Sequence, residues 1–427
     1  MPITFNEDTN RFEGSNTFDQ TLAGFDFSVF GGLVSNNGAI IAPVTANTAD
    51  GIELVNTTFG TMSKAAGSQF AIDLLGNGGR LVVNDGYIFG SVRLGNGWDS
   101  FFNSGLIEGQ VRTGNGNDTL TNQIIAGIDG GPDTTGTITG GVNMGDGDDT
   151  VLNTGVMANV ALGAGNDTYT VGGFLIGDDD FFGAFDEDGG AGSAGNVAGG
   201  FGNDTLSGGA ADDRLLGGDD DDRLVGNGGR DALYGQNGND EVFGGNGNDF
   251  LSGGCGDDFI DGGNNNDRIL GGDDNDVLFG GGGNDLLSGG NGNDRLLGQN
   301  GNDRMLGSAG NDTMEGGQGR DTLVGGEGAD VFVFAGRTNA DVIRDFSEGD
   351  QIELLLIGSN GSTTYDDIIA NTVFTGSNAV IDLSAIFNLS NVDGRIDHGS
   401  TVKINGVTID DLGASAFNIV DDIFIVG

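Results

Sequence analysis

The chain of 427 residues has one cysteine, one histidine, one tryptophan, three prolines and only 16 basic residues. Each scarcity excludes something. A lone Cys255 rules out an internal disulfide framework, and at a variable repeat position it reads as a tolerated small residue. A lone His398 rules out a His-Glu-x-x-His zinc site. It sits in Arg395-Ile396-Asp397-His398-Gly399-Ser400, the composition of a turn, and offers a Ser-His-Asp hydrolase no credible base. No Gly-x-Ser-x-Gly elbow precedes a helix. No apolar run approaches the roughly 18 residues of a membrane span. The opening Met1-Pro2-Ile3-Thr4-Phe5-Asn6-Glu7-Asp8 has neither a basic nor an apolar stretch, so no N-terminal signal peptide is expected. Sixteen basic residues against 64 acidic ones leave a net charge of −48. That excludes a nucleic-acid partner, which needs basic patches. It also makes a compact state self-repelling unless cations bind.

What is abundant is glycine, 87 residues without a collagen-like period. Fifteen consecutive nine-residue units run from Gly199 to Val333 in the frame Gly-Gly-x-Gly-x-Asp-x-apolar-x. The sixth position is aspartate throughout: Asp204, Asp213, Asp222, Asp231, Asp240, Asp249, Asp258, Asp267, Asp276, Asp285, Asp294, Asp303, Asp312, Asp321 and Asp330. The eighth is apolar throughout, from Leu206 to Phe332. A disordered Gly/Asp tract has no need of an apolar residue at every ninth position. The period implies an all-β, right-handed parallel solenoid: a β-roll around columns of calcium.

Glycines let the backbone take positive φ and turn its carbonyl oxygens inward. Aspartate adds a carboxylate, and an oxygen-only donor set suits Ca²⁺. The expected ligands are the fifteen aspartates together with loop residues such as Gly200, Gly202, Gly245, Gly247, Gly254, Gly256, Gly281, Gly283, Gly290, Gly292, Gly317 and Gly319. The last three residues of a unit read as a short strand with its middle side chain inside. Two units complete a turn, so each ion would lie between loops two units apart, in about 13 loop pairs. Four units replace the fourth glycine, by Ala211, Asp220, Asn265 or Asp274, and four replace the second, by Asn227, Gln236, Gln299 or Ser308. Asn and Asp take left-handed φ readily. Ala211, Gln236, Gln299 and Ser308 are the strained substitutions, expected to weaken their loops.

Residues 51–173 carry a looser repeat. Half-motifs occur at Gly95-Asn96-Gly97-Trp98-Asp99, Gly114-Asn115-Gly116-Asn117-Asp118, Gly145-Asp146-Gly147-Asp148-Asp149 and Gly163-Ala164-Gly165-Asn166-Asp167. An insertion around Gly130-Gly131-Pro132-Asp133 lengthens the middle gap. Between them lie corners such as Asn84-Asp85-Gly86, Asn103-Ser104-Gly105 and Asn153-Thr154-Gly155. One β-solenoid rung per 18 or 19 residues follows, with Asn and Gly at its sharp corners. The pattern resembles the rungs of bacterial surface β-helix proteins. Asp99, Asp118, Asp149 and Asp167 are secondary calcium-ligand candidates; the alternative is aspartate capping its own turn. Residues 1–50 are expected to cap the solenoid and 174–198, rich in Gly and Asp, to form a linker or bulging loop.

The units at 199–333 resemble the nonapeptide repeats of RTX proteins, the hemolysin-type calcium-binding family. Residues 334–427 extend the resemblance. Asp341-Val342-Ile343-Arg344-Asp345-Phe346 through Asp350-Gln351-Ile352-Glu353-Leu354, and the finish Asp421-Asp422-Ile423-Phe424-Ile425-Val426, are similar to the cap and tail of secreted members. The resemblance implies a C-terminal export signal, type I secretion machinery as a partner, an extracellular or cell-surface location, and folding driven by calcium after export. Family toxins need a long helical region and modified lysines. Lys64 and Lys403 are the chain's only lysines, and no such region exists.

Two functions remain. The first is a secreted, non-enzymatic surface or matrix scaffold or adhesin. Its ninth-position residues Leu216, Tyr234, Phe243, Phe279, Leu297 and Leu306 should face outward and favour self-association or docking on a cell-surface or polysaccharide partner. The second is an extracellular polysaccharide lyase or epimerase with its chemistry in the N-terminal rungs, drawn from Arg80, Asp85, Tyr87, Arg93, Trp98, Asp99 and Arg112. Arg93 and Arg112, one rung apart, read equally as a structural ladder pairing with nearby acids.

Overall fold

The computed structural model describes residues 79–125, 134–157, 159–171, 197–335 and 340–356. Beyond these it describes short strands and a few adjoining residues between 4 and 77 and between 368 and 421. Two compact units, Met1–Gly228 and Gly229–Gly427, divide the chain. Both are parallel β-solenoids.

In the first unit the four rungs between Arg80 and Ala164 have three short strands each. One side stacks Arg80–Asn84, Ser100–Asn103, Thr119–Asn122, Thr150–Asn153, Thr168–Val171 and Thr205–Ser207 in parallel. The second stacks Tyr87–Phe89, Leu106–Glu108, Thr137–Ile138 and Val156–Met157. The third stacks Ser91–Arg93, Val111–Asn115, Val142–Asp146, Val160–Ala164, Val197–Phe201 and Arg214–Asp219. Strand residues alternate in direction, so one side of each strand fills the interior. Val82, Ile88 and Val92 do this in one rung, and Phe101, Ile107 and Val111 in the next, all essentially inaccessible to solvent.

The corner between the first two sides is closed by a buried asparagine ladder. Asn84 Nδ2 donates to Asn103 Oδ1 at 2.7 Å, Asn103 to Asn122 at 2.7 Å, Asn122 to Asn153 at 2.9 Å, and Asn153 to the Tyr169 hydroxyl at 3.4 Å. Each amide both donates and accepts, so the ladder satisfies its buried groups without water. The insertion expected near residue 130 leaves from this corner. Ile124–Ile125 pairs antiparallel with Thr134–Thr135, and the Gly136 N–H returns to the Gln123 carbonyl.

Toward the N-terminus, Gly32–Asn36 pairs with Ile52–Asn56, which pairs with Arg80–Asn84. Thr4–Asn6 runs antiparallel to Arg11–Glu13. The side chains of the expected 1–50 cap lie outside the described residues, and so does most of the expected linker, residues 172–196.

In the second unit a coil has two strands and repeats every 18 residues: Leu251 pairs with Ile269 and Ile269 with Leu287 in one sheet, Ile260 with Leu278 and Leu278 with Leu296 in the other. The strands are longer than three residues. Arg268–Asp273, for example, spans six, because pairing continues through the first three residues of the following unit. Eighth-position residues from Leu233 to Phe332 are fully buried and form the whole core between the two sheets. Ninth-position residues are half-buried rather than freely exposed; Leu306, at 37 % exposure, is the most open of the six expected to face outward. Phe243, Phe259 and Phe279 cluster on the outer side of one sheet, with ring centroids 5.7 and 5.4 Å apart. The end of this unit changes pattern. Val331–Ala335 pairs with Gln351–Leu356 and this with Phe417–Asp421, while Asn378–Asp382 runs antiparallel to Thr401–Asn405.

Candidate metal centre

The repeat aspartates stack. In the second unit the Asp240 N–H donates to Asp258 Oδ1 at 2.8 Å, Asp258 to Asp276 at 2.9 Å, Asp276 to Asp294 at 2.9 Å and Asp294 to Asp312 at 2.9 Å. A second column runs through Asp231, Asp249, Asp267, Asp285, Asp303 and Asp321 with the same bond. One carboxylate oxygen is thus used as a rung connector. The other, Oδ2, is buried without a hydrogen-bond partner in Asp258, Asp267, Asp276, Asp285, Asp294, Asp303, Asp312 and Asp330. A buried oxygen of this kind is costly unless something meets it.

The first glycine of each unit shows where Oδ2 points. A methyl group built on Gly262 would stand 2.7 Å from Asp267 Oδ2 and 2.7 Å from the Gly280 carbonyl. One on Gly280 would meet Asp285 Oδ2 at 2.7 Å and the Gly298 carbonyl at 2.8 Å. A carboxylate oxygen and a carbonyl from the adjacent coil therefore converge over a glycine that admits no side chain. Gly290 and Gly292, at φ +127° and +140°, produce the turn that aims the loop carbonyls. Among the described residues no group of three or more His, Cys, Asp or Glu side chains converges. A metal here would take most of its ligands from the main chain. All donors are oxygen, which fits a hard divalent cation such as Ca²⁺ and not zinc or copper.

Electrostatics point the same way. Burial pushes Asp204, Asp267 and Asp276 up to about 8, and neighbouring aspartates push in the same direction. Asp258, Asp303 and Asp312 rise to about 7 from the same causes. A bound divalent cation supplies the positive charge that lets such a column ionise.

Asp, Asn, Gln and Ser replace glycine at left-handed positions as expected: Asp220, Asn227, Gln236, Asn265, Asp274, Gln299 and Ser308 have φ between 73° and 92°. Ala211 is absent from the positive-φ residues, and its loop differs in form. Asp213 Oδ2 accepts the N–H of Gly209 in its own loop at 2.7 Å, and the Gly208 carbonyl accepts Asn227 Nδ2 at 2.9 Å. The Oδ2 that other loops leave open is here met by the main chain of its own loop. The columns also run past the repeats: Asp321 N–H donates to Asp341 Oδ1 and Asp330 N–H to Asp350 Oδ1, both at 3.0 Å. Asp345 then closes one edge by accepting the Gly325 and Gly326 N–H groups at 2.9 Å. Asp341 and Asp350 stand 20 residues beyond their partners and so fall outside the nine-residue frame.

The residues considered for polysaccharide chemistry are scattered. Arg80 and Asp99 are buried, Asp85 accepts the Ser104 hydroxyl at 2.7 Å, and Arg93 holds Asp73 through two bonds of 2.8 and 2.9 Å. Arg93 and Arg112 are register partners, but Arg112 donates to Gln110 rather than to an acid. Tyr87 and Trp98 are exposed, on separate sides of their rungs. A depression of about 690 Å³ is lined by Gln110, Arg112, Asn143 and Asn159 and by small or apolar residues, with no carboxylate.

A family model described as the RTX calcium-binding nonapeptide repeat (4 copies) matches this chain in overlapping windows from 189–224 to 297–332. No curated protein matches it. Among solved structures it is similar to the extracellular lipase LipA from Serratia marcescens, at 19 % identity and a TM-score of 0.22, over 51 % of this chain and 40 % of that one. The chain thus spans well under half of that relative's length. Residues 189–332 are RTX calcium-binding nonapeptide repeats, a type of repeat that binds multiple calcium ions.

Proposed function

We propose that this is a secreted calcium-binding protein that acts as a non-enzymatic surface or matrix scaffold or adhesin, with calcium completing its fold outside the cell. The observation that carries this reading is the pair of aspartate columns in residues 229–350, each placing buried carboxylate oxygens beside main-chain carbonyls. With a net charge of −48 the chain has little reason to compact without cations. Calcium is scarce in the cytosol and plentiful outside, so coupled binding and folding would occur after export. The ligands proposed are the repeat aspartates, with Asp213 the exception, together with the carbonyls of their glycine-rich loops. Type I machinery is the export route the RTX repeats suggest, and the half-buried aromatic cluster around Phe259 is a surface for self-association or docking.

The test is a calcium titration of the full chain followed by far-ultraviolet circular dichroism and by calcium counting. The expected result is a cooperative gain of β-structure, reversed by chelator, with several ions bound per chain. A chain that gains no structure and retains no calcium at millimolar concentration overturns the reading.

A further inference from the structure

Outside the matched repeats, the first unit holds another column. The Asp99 N–H donates to Asp118 Oδ1 at 2.8 Å, Asp118 to Asp149 at 2.7 Å, Asp149 to Asp167 at 2.7 Å and Asp167 to Asp204 at 2.7 Å. The four upstream aspartates are at most 1 % exposed. Their loops turn as the roll's do, with Gly145 and Gly147 at φ +112° and +140° and Gly163 in register with Gly200. Asp149 and Asp167 each bury an Oδ2 that has no hydrogen-bond partner. Stacked acids alone do not make a metal site.

The independent observation is Arg80. It ends the column and occupies the rung position that aspartate holds in every rung described after it. Its N–H donates to Asp99 Oδ1 at 2.8 Å, as the N–H of an aspartate does one rung further on. Gly76-Asn77-Gly78-Gly79-Arg80 aligns with Gly95-Asn96-Gly97-Trp98-Asp99. The Arg80 side chain is fully buried; its Nη1 donates to the Asn96 carbonyl at 3.0 Å and lies 3.6 Å from Asp99 Oδ1. The interval between these two rungs therefore accommodates a cation, met by a loop carbonyl and a carboxylate. In the later intervals an aspartate replaces the arginine. In the Asp118/Asp149 interval the Thr113 hydroxyl already donates to the Met144 carbonyl. Asp149 with Asp167 puts two buried acids on one interval, where an uncompensated charge is expensive.

We propose that the Asp149/Asp167 interval binds a hard divalent cation of the calcium class, and that Arg80 is a built-in cation closing this column. The donors are the carboxylates of adjacent rungs and their loop carbonyls. One difference from the roll sets the strength. Leu94, Thr113, Met144 and Leu162 are buried where the roll has its first glycine. This interval has less room and binds more weakly than those of the roll. The proposal shares the oxygen-donor chemistry of the proposed function but is tested apart from it.

Trp98, the single tryptophan, is exposed on the loop that ends at Asp99. It lies two to three rungs, each about 5 Å, from the proposed interval. Terbium added to the full chain in place of calcium, with excitation at the red edge where only tryptophan absorbs, should give sensitised emission that excess calcium displaces. Asp149→Asn should reduce that emission several-fold and leave the calcium-driven gain of β-structure in place. Trp98→Phe should abolish the emission and leave the bound-calcium count unchanged. Normal calcium-driven folding without tryptophan-sensitised emission overturns this proposal and leaves the proposed function standing. Emission that is undiminished in Asp149→Asn overturns it as well. Loss of both emission and folding in the unaltered protein removes both readings.

Discussion

The Arg80 guanidinium stands 3.6 Å from the Asp99 carboxylate with both side chains fully buried, at the end of a stack of aspartates. The pair is internally neutral, whereas each interval further along the stack has acids only. Replacing Arg80 by aspartate removes that compensation. In chelator Arg80→Asp should lose about 3–5 kcal/mol of stability, the usual cost of orphaning one member of a buried ion pair. In calcium much of the loss should return, with one more ion bound per chain. Thermal melts in both conditions, with calcium counting, check this.

The first glycine of a roll unit is a steric requirement, and a neighbouring glycine is not. Gly271→Ala would drive a methyl group into Asp276 Oδ2 and to 2.6 Å from the Gly289 carbonyl. It should cost about 1–3 kcal/mol and weaken calcium binding. Gly282→Ala, with Asn264 Oδ1 the nearest atom at 3.7 Å and no positive φ, should stay within about 0.5 kcal/mol. Denaturant melts in calcium separate the two.

Not every repeat aspartate should matter to the metal. Asp213 Oδ2, the oxygen other repeat aspartates leave open, already accepts the Gly209 N–H of its own loop. Asp213→Asn should leave the number of bound ions unchanged, while Asp276→Asn should lower it. Equilibrium dialysis of both variants is the check; an equal loss in the two would contradict the loop geometry.

The columns give a pH dependence of definite sign. Burial raises Asp267 and Asp276 from 3.8 to about 8. Without calcium the folded chain then holds more protons than the unfolded chain between those values. Metal-free stability should be greatest in acid and fall as pH rises through that window. Calcium takes the deprotonated form, so its affinity should rise over the same range and its binding should release protons. Metal-free melts across pH, and calorimetry in buffers of different ionisation enthalpy, measure the two effects.

The asparagine corner should respond differently. Asn122 donates to Asn153 Oδ1 and to the Gly136 carbonyl and accepts from Asn103. Asn122→Ala leaves buried amide groups unmet on both sides and should cost about 3 kcal/mol, by an amount that calcium does not alter.

The repeat itself was legible without coordinates. The frame from 199 to 333 named the solenoid, the eighth-position core and the aspartates, because a local turn chemistry repeated every nine residues leaves its mark at fixed spacing. The half-motifs at 95–167 and the Asn-Gly corners were legible for the same reason. Stacking was not. Asp118 meets Asp149 across 31 residues, Asp167 meets Asp204 across 37, and Asp330 meets Asp350 across 20. Insertions alter these separations while main-chain pairing between coils keeps the register. The same pairing puts Arg80 at an aspartate's place, and the lost left-handed turn at Ala211 redirects Asp213 onto its own loop. Spacing reports the unit, and only the hydrogen-bonded alignment of one coil on the next decides which carboxylates share an interval and which are already answered by the protein.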